Sequence, residues 1–228
     1  MSFDLSPAWI SVKVTLVATV VNFFLGIAIA WGMTKHRGKW QGLLDGVLTL
    51  PLVLPPTVAG FALLMLIGIH GPVGRLLGLF GVKIIFTWYA AALASILVAF
   101  PLMYRTARGA FEQIDPNILN AARTLGVSER RIFWRVAVPL AWPGIAAATA
   151  LCFARSLGEF GATMMVAGNI PGRTQSIPLA IYFAVQNDDT RTALIWVGII
   201  FVISLAVLFF MNARSTDKTK KRLGAGRS

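Results

Sequence analysis

The sequence predicts an all-α integral membrane protein: a polytopic bundle of about five spans, with one further short helix that is re-entrant or interfacial. Two observations predict it. The 228 residues are 57% hydrophobic and only 13% charged, with a mean hydropathy of +0.73, more apolar surface than a soluble domain needs. The apolar residues also gather into five runs, each close to the roughly 20 residues that cross about 30 Å of hydrocarbon. Composition excludes several other classes. The one cysteine, Cys152, lies in an apolar run and leaves no intramolecular disulfide. His36 and His70 are far apart, with no metal-ligand spacing. No Gly-x4-Gly-Lys-[Ser/Thr] segment is present, so the chain carries no phosphate-binding loop for ATP.

Taken in order, the first predicted span is Val14–Met33. Ala28-Ile29-Ala30 resembles a signal-peptide cleavage site, but Met1–Trp9 contains Asp4 and no basic residue. A retained helix is therefore expected. The second span, Val47–Ile69, contains Pro51, Pro55 and Pro56. Each lacks a backbone donor, so the carbonyls of Val47, Pro51 and Leu52 lose their helical partners. In lipid those groups must be satisfied by neighbouring helices or a wet cavity. Pro55 and Pro56 accordingly mark either a kinked structural helix or a broken helix on a translocation path.

The third span, Ile84–Tyr104, carries Ala91, Ser95 and Ala99 at four-residue spacing, and the fourth, Val136–Ala154, opens a longer row. That row is Ala146, Ala150, Ala154, Gly158 and Ala162, one face of small residues on which backbones can pack closely. Arg155 and Glu159 are four apart and face each other if helical. Ionisable groups at membrane depth are usually paired, so a structural ion pair is favoured over direct ligand contact, with Ser156 beside it. Asn169-Ile170-Pro171-Gly172 reads as a turn. Ser176 can cap a short helix through Ile177, Leu179, Ala180, Ile181 and Phe183, too short to span. The last span is Ala193–Met211.

The net charge of +12 suggests nucleic acid on a soluble chain, but here it sorts by side. Fifteen of the 21 Lys and Arg residues fall in the first loop, the loop around Arg123 and the tail 213–228. The excess of Lys and Arg marks the cytoplasmic side. The N-terminus is thus expected outside and the C-terminus in the cytoplasm, and nucleic-acid binding is set aside.

Residues 114–135 form a charged interlude between apolar runs. Asp115 can cap a helix and Pro116 suits its first turn. Ile114, Ile118, Ala121, Ala122 and Leu125 make one narrow apolar stripe at helical period. Gly126 can end the helix in the left-handed conformation, and Ser128 can cap the next one. Such a short amphipathic helix suits a groove on a partner.

Here the residues carry a resemblance. Ala121-Ala122-x3-Gly126, followed nine residues later by Val136-Ala137-Val138-Pro139, is similar to the coupling-loop motif of ABC importer permeases, with Asn120 where that motif commonly has Glu. The stretches Arg155–Thr163, Gly168–Thr174, Ile177–Tyr182 and Leu50–Pro56 resemble the molybdate permeases of that family. Sulfate/thiosulfate permeases are near relatives. The resemblance implies an inner-membrane subunit that translocates molybdate or tungstate, with sulfate or thiosulfate as the alternative. It implies a homodimer, two cytoplasmic ATPase subunits and a periplasmic or lipid-anchored oxyanion-binding protein. Asn120, Ala121, Ala122, Gly126 and Pro139 would couple to the ATPase. Arg155, Ser156, Glu159, Pro55 and Pro56 are pathway candidates, and Asn169, Pro171, Gly172 and Arg173 are candidate contacts for the binding protein. No cofactor or metal is expected in this chain, since ATP and Mg would sit on the ATPase. Two other classes compete. An intramembrane enzyme built on Arg155 and Glu159 lacks a nucleophile–base pair, and a passive anion channel has no use for a motor socket.

Overall fold

The computed structural model describes residues 4–36 and 38–224, with residues 208 and 210–224 described by their backbone alone. The end of the predicted tail, 225–228, lies outside the described residues. Every element is helical: α1 (Ser6–Lys35), α2 (Gln41–Val53), α3 (Pro56–Ile67), α4 (Pro72–Gly78), α5 (Trp88–Glu112), α6 (Pro116–Thr124), α7 (Glu129–Ile132), a π turn (Phe133–Ala137), α8 (Val138–Leu157), α9 (Gly161–Ala167), α10 (Ile177–Gln186) and α11 (Thr190–Gly224). Among the described residues there is no strand.

Helices α1, α5 and α8 form the centre of the bundle, and their facing residues are small. Ala90, Ala94 and Ala99 of α5 and Ala148 of α8 are fully buried. Small side chains let the helix backbones approach, which drives association where lipid removes the hydrophobic term. One apolar cluster joins Ile27 and Met33 of α1 to Met103, Tyr104 and Phe111 of α5 and Ile145 of α8. A second, towards the other end of α1, joins Ile10 and Val14 to Ala90–Ala92 of α5 and to Ala162 and Val166 of α9. Asn22, near the midpoint of α1, fixes the depth of α8. Its amide donates to the Ile96 carbonyl at 3.1 Å and to Cys152 Sγ at 3.5 Å.

The predicted second span is two helices, not one kinked helix. α2 and α3 are bent by 113° across Leu54 and Pro55. Pro51 is absorbed within α2, but two consecutive prolines remove two donors and set two rings against the preceding turn. Leu54 and Pro55 are extended, with ψ of 140° and 137°, as residues before proline prefer. The other expected spans survive with shifted ends. The third begins at Trp88 rather than Ile84, because Thr87 caps it through Ala90 N at 3.3 Å. The fourth is the apolar part of a rod that starts at Glu129. Its π turn ends at Ala137, two residues before Pro139; a wider turn accommodates a residue that cannot donate and whose ring crowds the turn before it.

Three expectations fail. The row of small residues stops at Ala154, because α8 ends at Leu157 and Ala162 belongs to α9. Neither Ser128 nor Ser176 caps its helix through its side chain. At α10 the orphan donor of Ile177 is instead taken by Ser11 Oγ of α1 at 2.7 Å, so a tertiary contact replaces the local cap.

Candidate functional site

Two regions collect most of the candidate residues. The first lies where the chain breaks twice. α8 ends at Leu157, and Gly158, Glu159 and Phe160 connect it to α9. The start of α9 sits against the start of α3. A Cβ added to Gly161 would stand 3.1 Å from Thr57 and 3.3 Å from Pro56, and one added to Gly60 would stand 2.6 Å from Ala162 Cα. Gly60 therefore allows a backbone approach that no larger residue matches. Pro55 and Pro56 of one break and Glu159 of the other are thus brought into one neighbourhood by α3–α9 packing.

Glu159 binds this neighbourhood together. It is 3% exposed, and its Oε1 accepts from Ala162 N in the first turn of α9 at 2.8 Å. Its Oε2 lies 2.8 Å from Arg155 Nη1, in the last turn of α8. One carboxylate therefore neutralises a cation and satisfies a buried helix-end donor, two tasks that each offset the cost of burying its charge. Ser156 is buried next to the pair. Arg155 lies one turn beyond Cys152, the residue that meets Asn22, so the pair sits well inside the bundle and not at its rim.

The second region is the charged loop at the Lys35 end. Asp115 caps α6 by accepting from Asn117 N at 2.9 Å. Gly126 has φ of +74° and ends α6 with Val127 N donating to the Ala122 carbonyl at 3.1 Å, as its residue type predicts. No residue of α6 is buried. Asn120, Ala121 and Gly126 are exposed, as is Pro139, while Ile118 and Leu125 present 45% and 81% of their surface. Beside the start of α6 an open groove of about 610 Å³ runs between α5 and α8, lined by Arg105, Gly109, Ile114, Ile118 and Leu140 among others. Ile114 is buried at the root of the stripe, and its outer residues form one uncovered face with the groove.

A polar clamp holds that face in place. Arg123 Nη1 donates to Asn120 Oδ1 at 2.8 Å, and Arg123 Nε donates to Glu129 Oε1 at 2.7 Å. Lys35 at the end of α1 closes the set through Glu129 Oε2. Arg123 and then Lys35 hold the Glu129 carboxyl at about 2, well below its ordinary range. Glu129 heads α7, ahead of the apolar run that begins at Val136. A second network ties α2 to α5: Tyr104 Oη and Arg108 Nη1 both donate to Asp45 Oδ1 at 2.7 Å.

At the opposite end of the bundle, Asn169, Pro171, Gly172 and Arg173 form the expected turn. Its pivot is Thr174, a residue that the sequence pattern did not single out. Thr174 is fully buried, and its Oγ1 accepts from Ile170 N at 3.0 Å and donates to the Gly168 carbonyl at 3.2 Å. Pro171, Gly172 and Arg173 are exposed; Asn169 is half-buried. This turn lies apart from Glu159 and from α6, so the structure separates the candidate residues into three places.

Gly60, Asp45, Thr174 and the Lys35–Glu129 link were not among the candidates. Asp45 had a legible signal, a lone acid close to an apolar run, where ionisable groups are normally paired. Gly60 had none, because its role exists only against Ala162.

Known proteins place the chain in the same class. The chain is 45% identical over 223 residues to the molybdenum transport system permease protein ModB of Escherichia coli K12, covering 96% of this chain and 97% of that one. It is 37% identical over 216 residues to the sulfate transport system permease protein CysT of Salmonella typhimurium, covering 93% and 78%. Among solved structures it resembles a bacterial ABC transporter involved in import of the acidic polysaccharide alginate, with a TM-score of 0.76 at 15% identity over 93% of this chain and 79% of that one. It also resembles the inward-facing MetNI methionine ABC transporter, with a TM-score of 0.71 at 16% identity over 92% and 94%. These two likenesses are of fold. Residues 22–221 match the family described as the binding-protein-dependent transport system inner membrane component, and the chain belongs to that family.

Proposed function

We propose that the protein is the membrane-spanning subunit of an importer of molybdate, driven by a separate ATPase. What supports this cargo is the near-full-length identity of 45% to a molybdenum transport permease, against 37% to a sulfate one. A sulfate or thiosulfate cargo is the second reading, favoured by that lesser identity alone.

Two copies of the chain would enclose the path, each contributing its α2/α3 and α8/α9 breaks. The uncovered face of α6 would seat in a cleft of the ATPase, with Asn120, Ala121, Ala122 and Gly126 at the contact and Pro139 setting the angle at which the rod leaves it. Nucleotide-driven approach of two ATPase subunits would then move the rods and exchange inward-open and outward-open states. Such a cycle is a two-state equilibrium biased at its two ends by ATP and by the loaded binding protein. The chain would be catalytically inert, with ATP and Mg held by the ATPase. The α6 end would face the cytoplasm and the Asn169–Arg173 turn the outside, where a periplasmic or lipid-anchored binding protein docks.

The test is reconstitution with an ATPase subunit and an oxyanion-binding protein from the same organism. ATP hydrolysis should rise only with molybdate-loaded binding protein, and molybdate should accumulate in the vesicle. Stimulation by sulfate-loaded but not molybdate-loaded protein would transfer the assignment to sulfate.

A further inference from the structure

The end of the bundle that carries the Asn169–Arg173 turn also holds a groove, which shares Gly172 and Arg173 with that turn. It encloses about 390 Å³ and is lined by Trp9, Ile10 and Lys13 of α1, by Thr87, Trp88 and Tyr89 at the start of α5, and by Gly172 and Arg173. Two of these residues are cations and none is an acid. Lys13 Nζ stands 3.6 Å over the Trp88 ring, and Tyr89 Oη is fixed by donating to the Lys83 carbonyl at 2.9 Å. Among the described residues neither Lys13 nor Arg173 makes an ion pair.

The position of Lys13 points to what neutralises it. α1 has 30 residues, so it measures roughly 45 Å at 1.5 Å per residue. That equals the thickness of a bilayer with its headgroup layers, about 40–45 Å. Lys13 is then roughly 10 Å inside the end of α1, where hydrocarbon gives way to headgroups. It also lies at helical spacing with Trp9, Leu16, Val20 and Phe24, an exposed apolar stripe of α1. A lysine on that stripe directs its amine along the helix to the polar layer. Exposed Trp9 and Tyr89 flank it as the aromatic residues of a membrane interface do.

We propose that this groove is a headgroup site that seats the phosphodiester of an anionic phospholipid, with Lys13 and Arg173 supplying the charge and Trp9, Trp88 and Tyr89 the walls. A bound lipid would brace α1 against the start of α5 and the 168–176 loop. The same tetrahedral oxyanion chemistry could also come from free phosphate or molybdate, and the experiment separates these sources.

The assembled complex, stripped of lipid in detergent, is incubated with phosphatidylglycerol or phosphatidylcholine, and retained lipid is counted by native mass spectrometry. Wild type should retain phosphatidylglycerol preferentially. Affinity should fall roughly fivefold for each cation removed, so about 25-fold in Lys13→Gln/Arg173→Gln. The charge-keeping Lys13→Arg/Arg173→Lys should retain it, and the exposed single change Arg173→Gln carries the test if the double variant does not assemble. Unchanged retention in the charge-removed variants overturns the proposal. So does protection of the Lys13 amine from acetylation by molybdate or inorganic phosphate without protection by phosphatidylglycerol, which would make this a free-oxyanion site. Neither readout depends on transport, so failure here leaves the proposed cargo untouched.

Discussion

Arg155 meets Glu159 at 2.8 Å across the end of α8, not along it. The helix stops at Leu157, and the pair spans the break because the other carboxylate oxygen is engaged by Ala162 N of α9. This makes Glu159 the joint between two helices, and it distinguishes substitutions that a simple intrahelical ion pair would not.

Glu159→Ala should lower the yield and melting temperature of assembled protein more than Glu159→Gln, because Gln keeps an acceptor for Ala162 N. Stranding that buried donor costs roughly 1–3 kcal/mol. In a double-mutant cycle Arg155→Gln and Glu159→Gln should show coupling of about 1 kcal/mol or more, as residues in contact do. Zero coupling in assembled yield would dismiss the pair as a structural unit.

Gly60→Ala should weaken α3–α9 packing, since its Cβ would stand 2.6 Å from Ala162 Cα. Overpacking of this kind costs about 1–3 kcal/mol. Ala162→Gly should relieve part of the strain in the double variant. Wild-type thermal stability of Gly60→Ala would show that the two breaks separate easily.

At Gly126 the surroundings are open and the backbone alone is demanding: a Cβ added there would meet nothing within 4 Å, but φ is +74°. Gly126→Val should therefore lose ATPase coupling while still inserting, at a local cost of roughly 1–2 kcal/mol. Gly126→Asn, which tolerates the left-handed region, should retain most transport. Equal loss in both variants would indicate a contact made by the glycine surface itself.

The Glu129 clamp should be insensitive to pH near neutrality. Its folded-state carboxyl lies at about 2 against an ordinary 4.5, so its contribution is complete above the ordinary value and lost as pH falls towards about 2. Glu129→Gln should release Arg123 and Lys35 together and reduce stimulated ATP hydrolysis. The effect should be modest, because the carboxylate is half exposed and such pairs are worth little. A sharp loss of coupling between about pH 6 and 8 in wild type would place the controlling group elsewhere.

Sidedness is checked by single cysteines in a Cys152→Ala background. Arg173→Cys should react with an impermeant thiol reagent in intact cells and Ser128→Cys should not. Thr174, although in the same turn, is unsuitable, since it is fully buried and holds the turn closed. Labelling of Ser128→Cys from outside would reverse the proposed orientation.

The sequence by itself determined the features that depend on local chemistry. Apolar run length located the apolar helices, the Pro55-Pro56 pair set the position of a break, and Asp115 and Gly126 set both ends of α6. Each follows from a residue's own donors, ring or allowed dihedrals, and those do not change with the fold. Only the tertiary structure decided what required two distant segments. The continuous small-residue row through Ala162 was wrong because the carboxylate of Glu159 captures the first turn of α9, so the helix ends where periodicity alone would continue it. The cap expected from Ser176 came from Ser11, 165 residues earlier in the chain. The 113° turn between α2 and α3 is set by Gly60 packing on Ala162; prolines remove hydrogen bonds, but the direction taken afterwards belongs to whatever the freed helix packs against.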